Sequence, residues 1–149
     1  MKVRIEVDEN NEEEIVIRCQ SLTPHIMKLQ QMLVKAGNRS GQLVLYKGDV
    51  EYYINLREIL FFETENSLVI AHTARDAYET RKKLYELENL LPGGFLRISK
   101  SAIVNTDKIY AINRNLTASS AIEFQGTHKQ IYVSRAYYKL LKEKMEEKR

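Results

Sequence analysis

The chain has 149 residues, 44% of them hydrophobic, and a net charge of +3. That is enough for one core-bearing domain and a small appendage, since domains commonly run about 100 to 150 residues, and too little for two full domains. The single cysteine, Cys19, excludes an internal disulfide. The opening Met-Lys-Val-Arg-Ile-Glu-Val-Asp has no apolar stretch that could act as a secretory leader. The apolar run 59–62 is far short of the roughly 20 residues a membrane helix needs, so a cytoplasmic protein is expected. Asn-x-Ser/Thr matches at Asn38 and Asn115 are then chance.

Along the chain, Val3, Ile5 and Val7 alternate with polar residues. An acidic, Asn-rich turn at 8–14 follows, and 15–19 reads as a second strand, which together give a hairpin signal. Thr23 then Pro24 reads as N-cap and first helical position. Ile26, Leu29, Leu33 and Ala36 recur at helical steps up to Gly37, so a helix is predicted over 24–36. The polar run Asn38-Arg39-Ser40-Gly41 is the expected boundary between a ββα appendage, 1–40, and a larger domain, 41–149.

The larger domain has β texture. Short strands are predicted at 43–46, 51–55, 59–63 and 68–73, with a turn at Lys47-Gly48-Asp49, mostly as a meander. A helix at 85–91, with Leu84, Leu87, Leu90 and Leu91 on one face, ends at Pro92-Gly93-Gly94. Strands resume at Phe95 and follow at 103–104, 109–112, 121–124 and 130–133. Ser134 is placed to cap a terminal helix reaching about Met145. The expected class is therefore mostly β with short helices, and no internal repeat or low-complexity segment is visible.

Catalytic ingredients are thin. His25, His72 and His128 stand on different elements with no Cys or carboxylate at ligand spacing, and no glycine-rich phosphate loop opens a helix. Neither an enzyme, nor a metal, nor a cofactor, nor a small-molecule substrate is expected.

Charge is more informative. Counting Lys and Arg against Asp and Glu, residues 1–40 carry 6 against 6, residues 41–96 carry 6 against 9, and residues 97–149 carry 11 against 5. The basic part holds Phe95-Leu96-Arg97-Ile98-Ser99-Lys100-Ser101 and its echo Ile131-Tyr132-Val133-Ser134-Arg135, each with a cation beside a serine hydroxyl at the end of an apolar run. By pattern alone, Arg97, Lys100 and Arg135 are solvated strand ends. The local excess of cations, the small hydroxyls suited to phosphate, and interleaved tyrosines move the balance toward a polyanion partner. Tyr138, Leu141 and Met145 fall at helical spacing and are assigned to packing.

These motifs resemble the LytTR family of bacterial DNA-binding domains over about residues 42–143. The apolar strand Ile59-Leu60-Phe61-Phe62-Glu63 is similar to the family's strand ending in glutamate. Leu87 to Leu91 with Phe95 resembles the short helix leading into the signature. The signature itself is matched by Arg97-Ile98-Ser99-Lys100-Ser101 with Val104-Asn105, and the closing element by Val133-Ser134-Arg135. The resemblance implies an elongated arrangement of small antiparallel sheets that inserts loops into successive DNA grooves. It implies base-edge contacts at Lys100 and Arg135, with Arg97, Ser99 and Ser101 near them and Asn66 or Ser67 at a third contact. Many relatives have histidine where Ser99 stands and an aromatic residue where Ala102 stands. A receiver domain needs roughly 100 residues, so a stand-alone bacterial transcription regulator is expected, of the kind often encoded beside a restraining membrane protein. The apolar stripe of 24–36 is expected to be buried against the larger domain or against another copy, and the second choice, a homodimer on promoter DNA with paired half-sites, is favoured. The alternative is a protein-interaction module on the same fold that has lost DNA affinity.

Overall fold

The computed structural model describes residues 1–37 and 41–147. The expected boundary at Asn38, Arg39 and Ser40 lies outside the described residues. The elements are α1 (Pro24–Gly37), β1 (Gln42–Lys47), β2 (Val50–Asn55), β3 (Phe61–Glu65), β4 (Leu68–His72), β5 (Ala77–Thr80), α2 (Leu84–Leu90), β6 (Phe95–Ser99), β7 (Ala102–Asn105), β8 (Ile109–Asn113), β9 (Ser120–Phe124), β10 (Gln130–Val133) and α3 (Arg135–Glu147). The predominance of antiparallel strands agrees with the class read from sequence. Thr23 begins α1 as expected, its Oγ1 accepting from Ile26 N at 3.2 Å and its carbonyl from Met27 N at 3.0 Å.

The ββα reading of the appendage needs correction, because neither 3–7 nor 15–19 carries a strand ladder. The turn between them does form: Asp8 Oδ1 accepts from Asn10 N at 3.0 Å and Oδ2 from Asn11 Nδ2 at 3.0 Å. Among the described residues, its flanks have no strand to pair with. Val3, Ile5 and Val7 are all exposed, and a lone two-stranded hairpin is marginal in water without a third strand or a helix beneath it.

The body contains a seven-stranded sheet, ordered β2-β1-β5-β4-β3-β7-β6, and a three-stranded sheet, β10-β9-β8. β5, which the sequence reading omitted, completes the first sheet by joining β4 to β1 through Tyr46 opposite Glu79. Its burial alternates, with Tyr78 and Thr80 inward. β3 begins two residues later than predicted. Asn55 caps a short 3-10 turn at Leu56–Glu58, its Oδ1 accepting from Arg57 N at 2.9 Å, and the ladder starts only beyond that turn.

Two apolar cores lie on opposite faces of β3 and β7. Phe62 and Ile103 point into one, with Leu45, Ala71, Leu84 and Leu87. Phe61, Ala102 and Val104 point into the other, with Ile98, Ile122, Phe124, Val133 and Leu141. A strand buried on both faces needs consecutive apolar residues and not alternation, which accounts for the runs Leu60-Phe61-Phe62 and Ala102-Ile103-Val104. Leu141 is fully buried while Tyr138 and Met145 pack beside it, so α3 covers the second core with the stripe assigned to packing.

Buried Asn105, at the end of β7, ties that strand to the segment that leads into β3. Its Nδ2 donates to Ile59 O at 2.9 Å and its Oδ1 accepts from Asp107 N at 3.1 Å. Next to it, Thr106 donates through Oγ1 to Gly94 O at 2.6 Å.

Candidate nucleic-acid interface

Three connections meet at one end of the body. The first is the two-residue β3–β4 turn, in which Asn66 and Ser67 have φ of 49° and 69°. Both lie in the left-handed region that the favoured two-residue hairpin turn demands. Asn tolerates this conformation through its short polar side chain, whereas Ser adopts it at a cost. Both side chains are exposed.

The second connection is the β6–β7 turn, formed by Lys100 and Ser101 between Ser99 and its ladder partner Ala102. A β-bulge between Arg97 and Ser99 precedes it. Ser99 Oγ accepts from Ser101 N at 3.1 Å and lies 3.4 Å from Ser101 Oγ, so the two hydroxyls share one small patch. Thr64 N donates to Ser101 O at 2.9 Å, which holds this turn beside the end of β3 and hence beside the first turn.

The third connection is the junction of β10 with α3. Ser134 N donates to Ile98 O at 2.9 Å, using the carbonyl of the residue inside the bulge, while Ser134 O accepts from Tyr137 N at 3.1 Å to open the helix. Arg135 is thereby anchored next to β6 and stands exposed. A bulge re-aims the strand and releases backbone groups from its ladder, and here one released carbonyl docks the element that carries Arg135.

The cations at this end differ sharply in how they are held. Arg97 is largely enclosed: its Nε donates to Ser99 O at 2.6 Å, and its two terminal nitrogens donate to Lys100 O and to the Glu88 carboxylate. Among the described residues, neither the Lys100 ammonium nor the Arg135 guanidinium has a hydrogen-bond or ion-pair partner. The structure thus brings Arg97, Ser99, Lys100, Ser101 and Arg135 together, with Asn66 and Ser67 on the adjoining turn.

Acidic groups lie behind these turns. Glu63 sits opposite Ala102, and burial, reinforced by the Glu65 charge, pushes its carboxyl up from the ordinary 4.5. Glu65 Oε1 lies 3.6 Å from His72 Nε2, longer than a hydrogen bond. His72 stacks on Phe61 with ring centroids 4.5 Å apart, and Lys129 Nζ approaches its Nδ1 at 3.2 Å. Burial first, and the Lys129 charge second, hold the imidazole below its ordinary 6.5.

Two features of this end escaped the sequence reading. Glu88 pairs with Arg97 from α2, across elements and with no motif linking them. The bulge carbonyl that receives Ser134 is a backbone feature, which side-chain patterns do not announce.

Comparison with known proteins gives concordant findings. The family model for the LytTr DNA-binding domain matches residues 50–146. Uncharacterised HTH-type transcriptional regulators of Staphylococcus aureus, from strains N315 and MRSA252, are each 30% identical over 149 residues, covering 97% of this chain and 98% of the relative. The alignment therefore includes the N-terminal appendage that the family match omits. Among solved structures, a LytTr DNA-binding domain from Bacillus cereus superposes with a TM-score of 0.64 at 20% identity, covering 69% of this chain and 94% of that one. Despite the relatives' name, no two consecutive helices adjoin among the described residues of this chain, since strands intervene between α1, α2 and α3. No described helix is long and apolar enough to cross a membrane.

Proposed function

Because the chain belongs to the LytTr DNA-binding domain family, we propose that it is a transcriptional regulator that binds double-stranded DNA through the three connections described above. Lys100 and Arg135 read base edges, while the Ser99 and Ser101 hydroxyls and the Asn66–Ser67 turn contact the backbone or an adjoining groove. The observation that carries this reading is the presence of two exposed cations without a partner among the described residues, Lys100 on a hydrogen-bonded turn and Arg135 at the start of α3, at one end of a sheet. A cation already ordered by its scaffold loses less conformational freedom on binding. Phosphate neutralisation supplies affinity, and bidentate contacts to base edges supply discrimination.

The test is selection of duplexes from a random pool at fixed salt. Enrichment of a shared sequence is expected, with log affinity falling steeply against log salt. Arg135→Ala and Lys100→Ala should each lose about 1 to 3 kcal/mol of discrimination while retaining binding to random DNA. No enrichment above non-specific levels would instead favour a protein-interaction module.

The assembly we favour is a homodimer formed through α1. Its Ile26, Leu29 and Leu33 are only half-buried and its Met27 and Met32 are exposed, an arrangement that a second copy would cover. Sedimentation that finds a monomer at high micromolar concentration would remove this assembly while leaving the DNA reading intact.

A further inference from the structure

Arg97 is the one cation of the signature whose guanidinium is spent inside the protein. Two of its nitrogens hold the carbonyls of Ser99 and Lys100, which flank and form the β6–β7 turn, and the third meets the Glu88 carboxylate on α2. Glu88 is also where the N-terminal helix touches the body, since Lys35 Nζ donates to Glu88 O at 3.0 Å. Lys35, Glu88 and Arg97 line one groove with Phe95, Leu96 and Tyr137. A continuous series of contacts therefore runs from α1, through Glu88 and Arg97, to the backbone that carries Lys100.

We propose that Glu88 is a specificity-determining positioning residue, which orients Arg97 and through it the Lys100–Ser101 turn. The inference rests on the DNA reading given above. A guanidinium is a rigid planar fork, so fixing one of its edges fixes the directions of the others. With the carboxylate holding one terminal nitrogen, the remaining N–H groups are aimed at the two carbonyls. Charge-assisted hydrogen bonds of this kind are short and directional. Without the carboxylate the fork keeps only its two neutral carbonyl partners, and the turn's brace on the side away from Thr64 is weakened.

Sequence discrimination depends on geometry more strictly than bulk phosphate attraction does, because base edges accept only well-aligned donors whereas the phosphate field acts at longer range. A loosened turn should therefore lose specificity and keep non-specific affinity. A purely structural role for the pair predicts the reverse pattern, a loss of stability with discrimination unchanged.

The experiment compares the full-length wild-type chain with Glu88→Gln, Glu88→Asp and Arg97→Lys. The duplex selected by wild type and a random duplex are titrated in parallel at one salt concentration, backbone amide spectra are recorded without DNA, and thermal unfolding is followed. Glu88→Gln should lower the ratio of selected to random affinity by about fivefold or more, with the salt slope preserved. Glu88→Asp should recover part of that ratio. Arg97→Lys, which cannot reproduce the fork, should lose at least as much as Glu88→Gln. The amides of Ser99, Lys100 and Ser101 should shift and exchange faster in Glu88→Gln, although the melting temperature changes little. An unchanged ratio, or equal weakening on both duplexes, would overturn the inference. Should wild type enrich no duplex at all, the DNA reading itself fails, and the amides decide the positioning role alone: shifts confined to the turn uphold it, and unperturbed turn amides refute it.

Discussion

Residues 1–23 and the body from Gln42 onward both contain stretches of alternating apolar residues, yet only the body becomes sheet. Val3, Ile5 and Val7 alternate as cleanly as Leu43 and Leu45, but Ile5 is 89% exposed whereas Leu45 is 0% exposed. The difference lies in neighbours. β1 is paired on both sides, by β2 and by β5, and lies over a core to which α2 contributes Leu84 and Leu87. The first segment has a turn and no covering layer, so alternation specifies a face without supplying anything to bury it against.

The largest test of this contrast pairs one substitution from each region. Phe62→Ala empties the first core at a fully buried position and should cost about 3 to 5 kcal/mol in urea unfolding. Ile5→Ala should change stability by less than about 0.5 kcal/mol. A comparable loss from Ile5→Ala that grows with protein concentration would break the contrast, because it would place the N-terminal segment in an interface between copies.

A smaller effect belongs to Asn105, whose side chain makes two internal hydrogen bonds in a buried setting. Asn105→Ala leaves the Ile59 carbonyl without its donor and should cost about 1 to 3 kcal/mol. The corresponding Asn55 cap is only half-buried and its side chain bonds only to neighbouring Arg57, so Asn55→Ala should cost less. Equal losses would show that turn capping, and not the tie between β7 and the segment that leads into β3, dominates.

Acid should act on the body through His72. Its folded-state pKa is depressed, so the folded protein prefers the neutral ring and the unfolded chain binds the proton more readily. The stability this contributes is complete above the ordinary value of 6.5 and is lost as pH falls through it toward the lower folded value. Unfolding free energy should fall between pH 7 and pH 5, and His72→Gln should flatten that slope. The smallest expected effect is at Glu63, whose raised folded pKa means that folding prefers the neutral acid. That preference helps below the ordinary value of 4.5 and disappears as pH rises through the folded value. Glu63→Gln should therefore match wild type near pH 4 and be slightly more stable at pH 7, as read from thermal melts.

Much of the fold is legible because its elements carry local punctuation. Thr23-Pro24 marked the start of α1, Pro92-Gly93-Gly94 the end of α2, and Lys47-Gly48-Asp49 the turn between β1 and β2. The alternation at the start suggests a hairpin that does not form, because its periodicity is real while the described residues provide no partner layer. The four residues of β5 give too little alternation to stand out, and the apolar run at Ile59 suggests an early start for β3 because it does not show the Asn55-capped turn that delays pairing. At the candidate site, Lys100 and Arg135 could be found from the signature motifs. What sequence could not show was that Arg97, equally cationic and only three residues from Lys100, turns inward. Its partners are the backbone carbonyls of Ser99 and Lys100 and the carboxylate of Glu88, which arrives from another element through the tertiary fold.

The doubly buried pair β3 and β7 has a kinetic consequence. Phe61 and Phe62 are adjacent in the chain but serve opposite cores, and the Asn105 to Ile59 hydrogen bond closes a sequence separation of 46 residues. Loop closure on that scale must be bought in entropy before either core is complete. Opening one core would strip a face from the same two strands that line the other, so the body has no route to a half-melted species with one side intact. Its denaturation should be a single cooperative event, with the slowest-exchanging amides clustered on β3 and β7.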